Sequence, residues 1–248
     1  MCSFINKFKL NLMMDLEQKI IQLCKHRYGQ NLAGILIFGS YNTGTFVQGK
    51  SDIDTLIFLK SKKGLQFQDE GKIIMTQGKE IQLSVQGVGS LRIVKNRLYK
   101  EGGWSTWITI LVGSKKIYTT SSFDKFVNAL ADNELPLDKV INYLISKDHF
   151  ELEGYFKNLD NWGITKGLFS HMRRKLQILN YYQGNSLEFD YNTCLGNIKG
   201  IQKERLQVLS QLYQDRENIP KEDLNKYITL ARKLTPLIVE QLNRKRLT

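Results

Sequence analysis

The chain has 248 residues, 42% apolar and 10% aromatic, which is enough material for one large domain or two small ones with real cores. Its three cysteines (Cys2, Cys24, Cys194) are odd in number and lack short metal-ligand spacing, and His26, His149 and His171 are scattered, so disulfide frameworks, zinc sites and histidine metal clusters are excluded and any metal must be held by oxygen. The net charge of +12 divides into 17 Lys/Arg against 8 Asp/Glu in residues 1–120 (+9) and 19 against 16 in residues 121–248 (+3), so the basic excess, which attracts polyanions without choosing among them, sits in the first half.

The opening MCSFINKFKLNLMM lacks a compact apolar core with a small-residue cleavage site, and no apolar run approaches the ~20 residues of a membrane span. No membrane partner is expected, and a reducing cytoplasm is the expected location. From Leu12 to Tyr28 the apolar residues Leu16, Ile20, Leu23 and Cys24 recur at helical spacing, and Gly29 is placed to end that helix. Leu32–Phe38 and Ile53–Leu59 read as short buried strands. Ile73–Thr76 and Glu80–Gln86 read as a hairpin across Gln77-Gly78. Leu91–Lys100 reads as a helix with Ser90 as N-cap. Ile108–Val112 and Lys116–Thr119 read as a last hairpin across Gly113-Ser114.

After Ser121 the pattern turns helical. Phe123–Ala131, Leu137–Asn158, Lys166–Tyr182, Leu195–Tyr213 and Leu224–Arg246 all carry apolar residues at three- and four-residue steps, with no convincing strand among them. The pattern breaks at Asn133-Glu134-Leu135-Pro136. The expected fold is α+β (α/β): a mixed β-sheet domain with flanking helices over residues 1–122, followed by a helical bundle over residues 123–248.

The chemistry is concentrated in Gly39-Ser40-Tyr41-Asn42-Thr43-Gly44-Thr45-Phe46-Val47-Gln48-Gly49-Lys50-Ser51-Asp52-Ile53-Asp54. A buried strand delivers Gly39-Ser40, about a dozen residues follow, and a second strand begins with aspartates at i and i+2. Alternation puts both carboxylates on one face of that strand, with Cα atoms about 6.6–6.8 Å apart. Carboxylates are the ligands Mg²⁺ prefers, and two hard cations about 3.5–4 Å apart can align an attacking oxygen, a phosphorus and a leaving pyrophosphate. Gly39 lets backbone approach a triphosphate closely, and Ser40 can donate hydroxyl and amide hydrogen bonds to phosphate oxygens. Either half of this pattern alone is ordinary turn or capping chemistry. In order and between two strands, they resemble the nucleotidyltransferase signature of the DNA polymerase β superfamily, a Gly-Ser turn followed by Asp-x-Asp or Asp-x-Glu.

In layout the chain looks similar to kanamycin nucleotidyltransferase and related antibiotic-modifying enzymes. The resemblance rests on Gly39 to Asp54, on the run from Lys79 to Lys100, and on Phe150-Glu151-Leu152-Glu153-Gly154-Tyr155-Phe156-Lys157-Asn158. It implies a magnesium-dependent transfer of a nucleoside monophosphate, AMP from ATP, to an acceptor hydroxyl. It further implies that Asp52 and Asp54 ligate the two ions, that Gly39, Ser40 and the adjoining Ser51 hold the triphosphate, and that Glu151 is the general base. Leu144, Asp148, Glu151, Leu152 and Tyr155 share one side of their helix, which puts Glu151 beside the apolar stripe.

The sequence departs from the family twice. The family's third carboxylate matches Gln82 without gaps, whereas Glu80 lies two residues earlier on the same face, and a two-residue shift keeps orientation while moving the group almost 7 Å, roughly two strand steps. Glu80 is taken as the third catalytic and metal-ligating carboxylate, with Gln82 the alternative. The family's phosphate-binding lysine falls at Tyr155, with Lys157 nearby.

Arg173-Arg174-Lys175 and Arg244-Lys245-Arg246 read as solvated faces, and Trp104, Trp107 and Trp162 as packing residues, although the tryptophan near Ile108 could line a nucleotide pocket. His149 and His171 read as ordinary helix residues.

Glu134–Asp160 carries six acidic residues against three lysines, which suits a cationic aminoglycoside-type acceptor. The basic first half suits an RNA end instead, so a nucleotidyltransferase acting on tRNA or protein, as in toxin–antitoxin systems, is the second reading. A catalytically inactive nucleotide-binding module is the third. A homodimer stays open.

Overall fold

The computed structural model describes residues 16–43, 51–65, 73–76, 81–153, 161–188, 191–202, 204–205, 207–208, 211 and 219–246. Two compact units make up the chain, one of Met1–Arg97 with Thr109–Glu134, the other of Leu98–Ile108 with Leu135–Thr248. The α+β class expected from the sequence holds. No helix among the described residues is long and apolar enough to cross a membrane.

The first unit is built on a five-stranded mixed sheet of order β3-β4-β2-β1-β5. Its strands are β1 (Leu32–Phe38), β2 (Asp52–Leu59), β3 (Ile73–Thr76), β4 (Ile81–Ser90) and β5 (Lys115–Thr119). β2 and β4 run parallel, and every other pair is antiparallel. Helix α1 (residues 16–28) brings Leu16, Ile20, Cys24 and Tyr28 to one side at four-residue steps. These meet Ile35 and Ile37 of β1, Ile53, Ile57 and Leu59 of β2, and Leu83, Val85 and Val88 of β4 in one core. Leu23, grouped with that stripe in the sequence, lies off it and is 43% exposed. Gly29, at φ +52°, ends the helix as its sequence position suggested, and one 3₁₀ turn (Gly29–Asn31) leads into β1.

The opposite face of the sheet is covered at one end by α5 (Ser121–Ala131). Phe123 lies over Gly34, where a Cβ would come within 2.6 Å of the ring. Its ring sits 5.0 Å from Phe58, and Phe126 adds a third ring 5.8 Å from Phe58. Thr120 donates from Oγ1 to the Ala33 carbonyl and ties the start of α5 to β1. Helix α3 (Leu91–Glu101) follows β4 directly, with Ser90 Oγ accepting from the Ile93 amide as an N-cap does.

The expected hairpin at Ile108–Val112 is not formed. Trp104–Leu111 is a helix, α4, and β5 pairs with β1 instead. The run is short, apolar and rich in β-branched residues, so its period is ambiguous in sequence. Gly102, at φ +63°, closes α3, and Trp104, Trp107 and Ile108 then bury one helical face at i, i+3, i+4.

The second unit contains α6 (Leu137–Glu153), α7 (Asn161–Tyr182), α8 (Tyr191–Asn197) and α9 (Lys221–Arg246), with no strand among its described residues. α7 packs against α8 and α9, and α6 against α9. The rings of Trp104 and Trp107 pack on Tyr181 at 6.4 and 5.7 Å, as packing residues do. Leu224, Ala231, Leu234, Ile238 and Leu242 form the buried stripe of α9.

The single helix expected over Leu195–Tyr213 is interrupted at residues 198–202. Gly200 adopts φ +78°, and side-chain amides take the backbone partners that a helix would supply. Gln183 pairs with both the amide and the carbonyl of Lys199, and Gln241 donates to the Gly200 carbonyl.

Candidate active site

β1 and β2 are adjacent and antiparallel, with Phe38 opposite Asp54. The turn that leaves β1 therefore stands beside the strand that begins with the aspartates. That turn is α2 (Gly39–Asn42), a single helical turn opened by Gly39 at φ +70°. A Cβ on Gly39 would lie 2.3 Å from Asp54 Oδ2. Only glycine allows both the left-handed backbone and this approach of main chain to a carboxylate. The turn is held closed by Thr43, whose amide and Oγ1 each donate to the Gly39 carbonyl at 3.1 Å, and by Asn42, which donates to the Gly113 carbonyl. Tyr41 points into the core under it, and burial, with Glu17 adding, pushes its hydroxyl up to about 12, so it stays neutral.

Alternation on β2 sends Ile53, Thr55 and Ile57 toward α1 and leaves Asp52 and Asp54, both half-buried, on the opposite face. On that face α5 covers Phe58 and leaves the aspartate end accessible. The parallel partner β4 sets Gln82 opposite Asp52 and Ser84 opposite Asp54. One register irregularity, between Thr55 and Leu56, leaves Gln86 as an extra residue on β4, and its Nε2 donates to Ser84 Oγ. Thr55 Oγ1 donates to the Ser84 carbonyl at 3.1 Å from the other face, so β4 is pinned to β2 next to the aspartate pair.

Gly39, Ser40, Ser51, Asp52 and Asp54 thus gather at one end of the sheet. Glu80 and Lys157 lie outside the described residues. Glu151 falls on α6 in the second unit, and its side chain lies outside the described ones. Among the described residues no three of His, Cys, Asp and Glu group as a metal site, so the observed carboxylate set is the aspartate pair.

Residues 17–101 match the family model described as a nucleotidyltransferase domain. The chain carries a nucleotidyltransferase domain. Its class of chemistry, nucleotidyl transfer by an enzyme, follows from that match, which runs from α1 through α3 and contains the whole aspartate end of the sheet. The fold is similar to that of a spectinomycin adenyltransferase from Enterococcus faecialis, crystallised with ATP and spectinomycin, at TM-score 0.54 and 15% identity over 91% of this chain and 98% of that one. A nucleotidyltransferase-like protein from Exiguobacterium sibiricum 255-15 aligns at TM-score 0.36 and 10% identity, over 93% of this chain and 75% of that one. No curated protein matches the chain in sequence.

Within the nucleotidyltransferase domain, sequence reasoning missed Ser84 and Gln86. The signal available was the period-two alternation of β4, which carries Ser84 to the same face as Gln82. Arg173-Arg174-Lys175 is not a solvated face: Lys175 is 1% exposed, and its Nζ donates to Thr235 Oγ1 at 2.7 Å. Helix packing of α7 on α9 buries it, a tertiary effect that a run of three cations conceals.

Proposed function

We propose that the chain transfers AMP from ATP to a hydroxyl of a small, aminoglycoside-type acceptor in a magnesium-dependent reaction. The observation that carries this reading is the contact of the Gly39 backbone with the Asp54 carboxylate, because it joins the Gly-Ser turn and the aspartate pair into one site. A protein of the same fold crystallised with ATP and spectinomycin supports the choice of donor and acceptor.

The donor set fits magnesium: Asp52 and Asp54 offer hard carboxylate oxygens from one strand face. Bound there, two ions would neutralise triphosphate charge and align the displacement. Gly39 and Ser40, with Ser51 just before β2, hold the triphosphate through amide and hydroxyl donors. Glu80 adds the third carboxylate, Lys157 pairs with phosphate, and Glu151 takes the proton from the acceptor hydroxyl.

A second reading, transfer to tRNA or protein, is favoured by the +9 charge of residues 1–120. The deciding experiment incubates the protein with each labelled nucleoside triphosphate and Mg²⁺, alone, with an aminoglycoside panel, or with total tRNA. Label on an aminoglycoside supports the first reading and label on tRNA the second. Absence of both label transfer and pyrophosphate release contradicts both and leaves a binding module.

A further inference from the structure

β2 runs from the aspartates to Leu59, about 23 Å at the ordinary strand rise. At its far end the chain turns through Lys60, Ser61, Lys62, Lys63 and Gly64, all exposed. Three lysines within four residues repel one another, and a loop left to itself would spread them into solvent. Here the loop is held. Asn31, in the turn after α1, donates from Nδ2 to the carbonyls of Ser61 and Lys63, while its Oδ1 accepts from the amide and hydroxyl of Ser61 at 3.0 and 3.1 Å. The Lys60 amide donates to the Asn31 carbonyl at 2.8 Å, and the Leu65 amide to the Lys62 carbonyl at 3.1 Å. Gly64, at φ +85°, completes the turn.

The same anchor brings the end of α1 alongside, with Lys25 and Arg27 in its last turn. Lys25 Nζ stands 4.9 Å over the Tyr118 ring on β5. Cations there also complement the helix's carbonyl end, so the loop lysines carry the case and the helix widens the positive surface.

We propose that this end of the sheet, centred on Lys60, Lys62 and Lys63, is a docking surface for the sugar–phosphate backbone of single-stranded RNA. Asn31 holds the backbone that carries these lysines, and three exposed ammonium groups within four residues match the repeating charge of a chain of phosphates. A lipid surface fits less well, because interfacial binding needs apolar side chains among the cations. Among the described residues Ser61, Gly64, Gly29 and Gln30 are the exposed neighbours of the loop lysines, with one exposed apolar side chain, Leu23, farther back on α1. The surface lies away from the aspartates and is independent of the acceptor assigned above.

The test measures binding of a labelled mixed-sequence single-stranded RNA by fluorescence anisotropy across a salt series. The comparison is between wild type, the triple variant Lys60→Gln/Lys62→Gln/Lys63→Gln, and Asn31→Ala, which keeps the charge and releases the loop. Wild type should bind, and the triple variant should bind roughly tenfold or more weakly, with a log–log salt slope shallower by about 2, at ~0.7 for each phosphate it no longer neutralises. Asn31→Ala should weaken binding several-fold at unchanged net charge. Magnesium-dependent pyrophosphate release should be the same in wild type and the triple variant. Equal RNA affinity in wild type and the triple variant overturns the proposal. So does retention of anionic phosphatidylserine vesicles without RNA binding.

Discussion

At the scale of single residues, the site depends on a glycine and a register. Gly39 faces the Asp54 carboxylate, which is the free end of a short side chain and yields more readily than backbone. Gly39→Ala should therefore displace the carboxylate more than it disturbs the fold. We expect nucleotidyl transfer to fall at least tenfold, roughly the effect of 1.4 kcal/mol, while the melting temperature drops by only a few degrees, as suits a left-handed alanine costing about 1–2 kcal/mol. An unchanged rate would show that Asp54 does not need its present position. Beside it, β4 aligns Gln82 with Asp52, and the proposed third carboxylate, Glu80, comes two residues earlier. Glu80→Gln should lower turnover at least ~100-fold, the range for loss of one group organising the displacement, and Gln82→Ala should lower it less. The reverse order would assign the metal-proximal position to Gln82. The aspartate pair and the Gly-Ser turn were legible in sequence because their types and spacing are fixed by the chemistry. Ser84 could have been read from the alternation of β4, but Gln86 could not, since the bulge that makes it an extra residue is set by pairing with β2.

At the scale of elements, strands and long helices were readable where one period dominated. Leu32–Phe38 and Ile73–Thr76 form as expected, because their runs are apolar and end at turn residues. Ile108–Val112 was misread as a strand since the run from Trp104 to Leu111, all apolar or β-branched but for Ser105, fits either period. The interruption at 198–202 was hidden because its partners, Gln183 just after α7 and Gln241 on α9, come from elsewhere in the chain. Lys175 belongs to this scale, for it is the pairing of α7 with α9 that buries it. Burial lowers its ammonium from 10.5 to about 7. Between those values the unfolded chain holds the proton and the folded one does not, so the contribution of Lys175 to stability rises with pH from about 7 toward 10.5 and is flat below. Cys24 and Tyr41, both pushed up by burial, oppose it above about 9. Denaturant unfolding should show that rise, and Lys175→Met, which removes the titrating group, should abolish it. A variant with the wild-type pH profile would assign the rise to another group.

At the scale of the whole molecule, the nucleotidyltransferase domain spans residues 17–101, and the proposed base, Glu151, is far along the chain on α6. Its assignment came from resemblance, because an acidic helix looks the same in sequence whether it serves solvent or a reaction. Glu151→Gln should lower kcat by about 10²–10⁴-fold, leave triphosphate binding nearly unchanged and remove the acidic limb of the pH–rate profile. Retention of both rate and limb would place the base elsewhere. Above all, the aspartate pair at the head of β2 is proposed to hold magnesium for nucleotidyl transfer. That claim is tested most directly by following pyrophosphate release against Mg²⁺ concentration in wild type, Asp52→Asn and Asp54→Asn, with circular dichroism verifying that each is folded. Magnesium-dependent release is predicted in wild type and none above background in either folded variant, whereas wild-type release from either would contradict the claim.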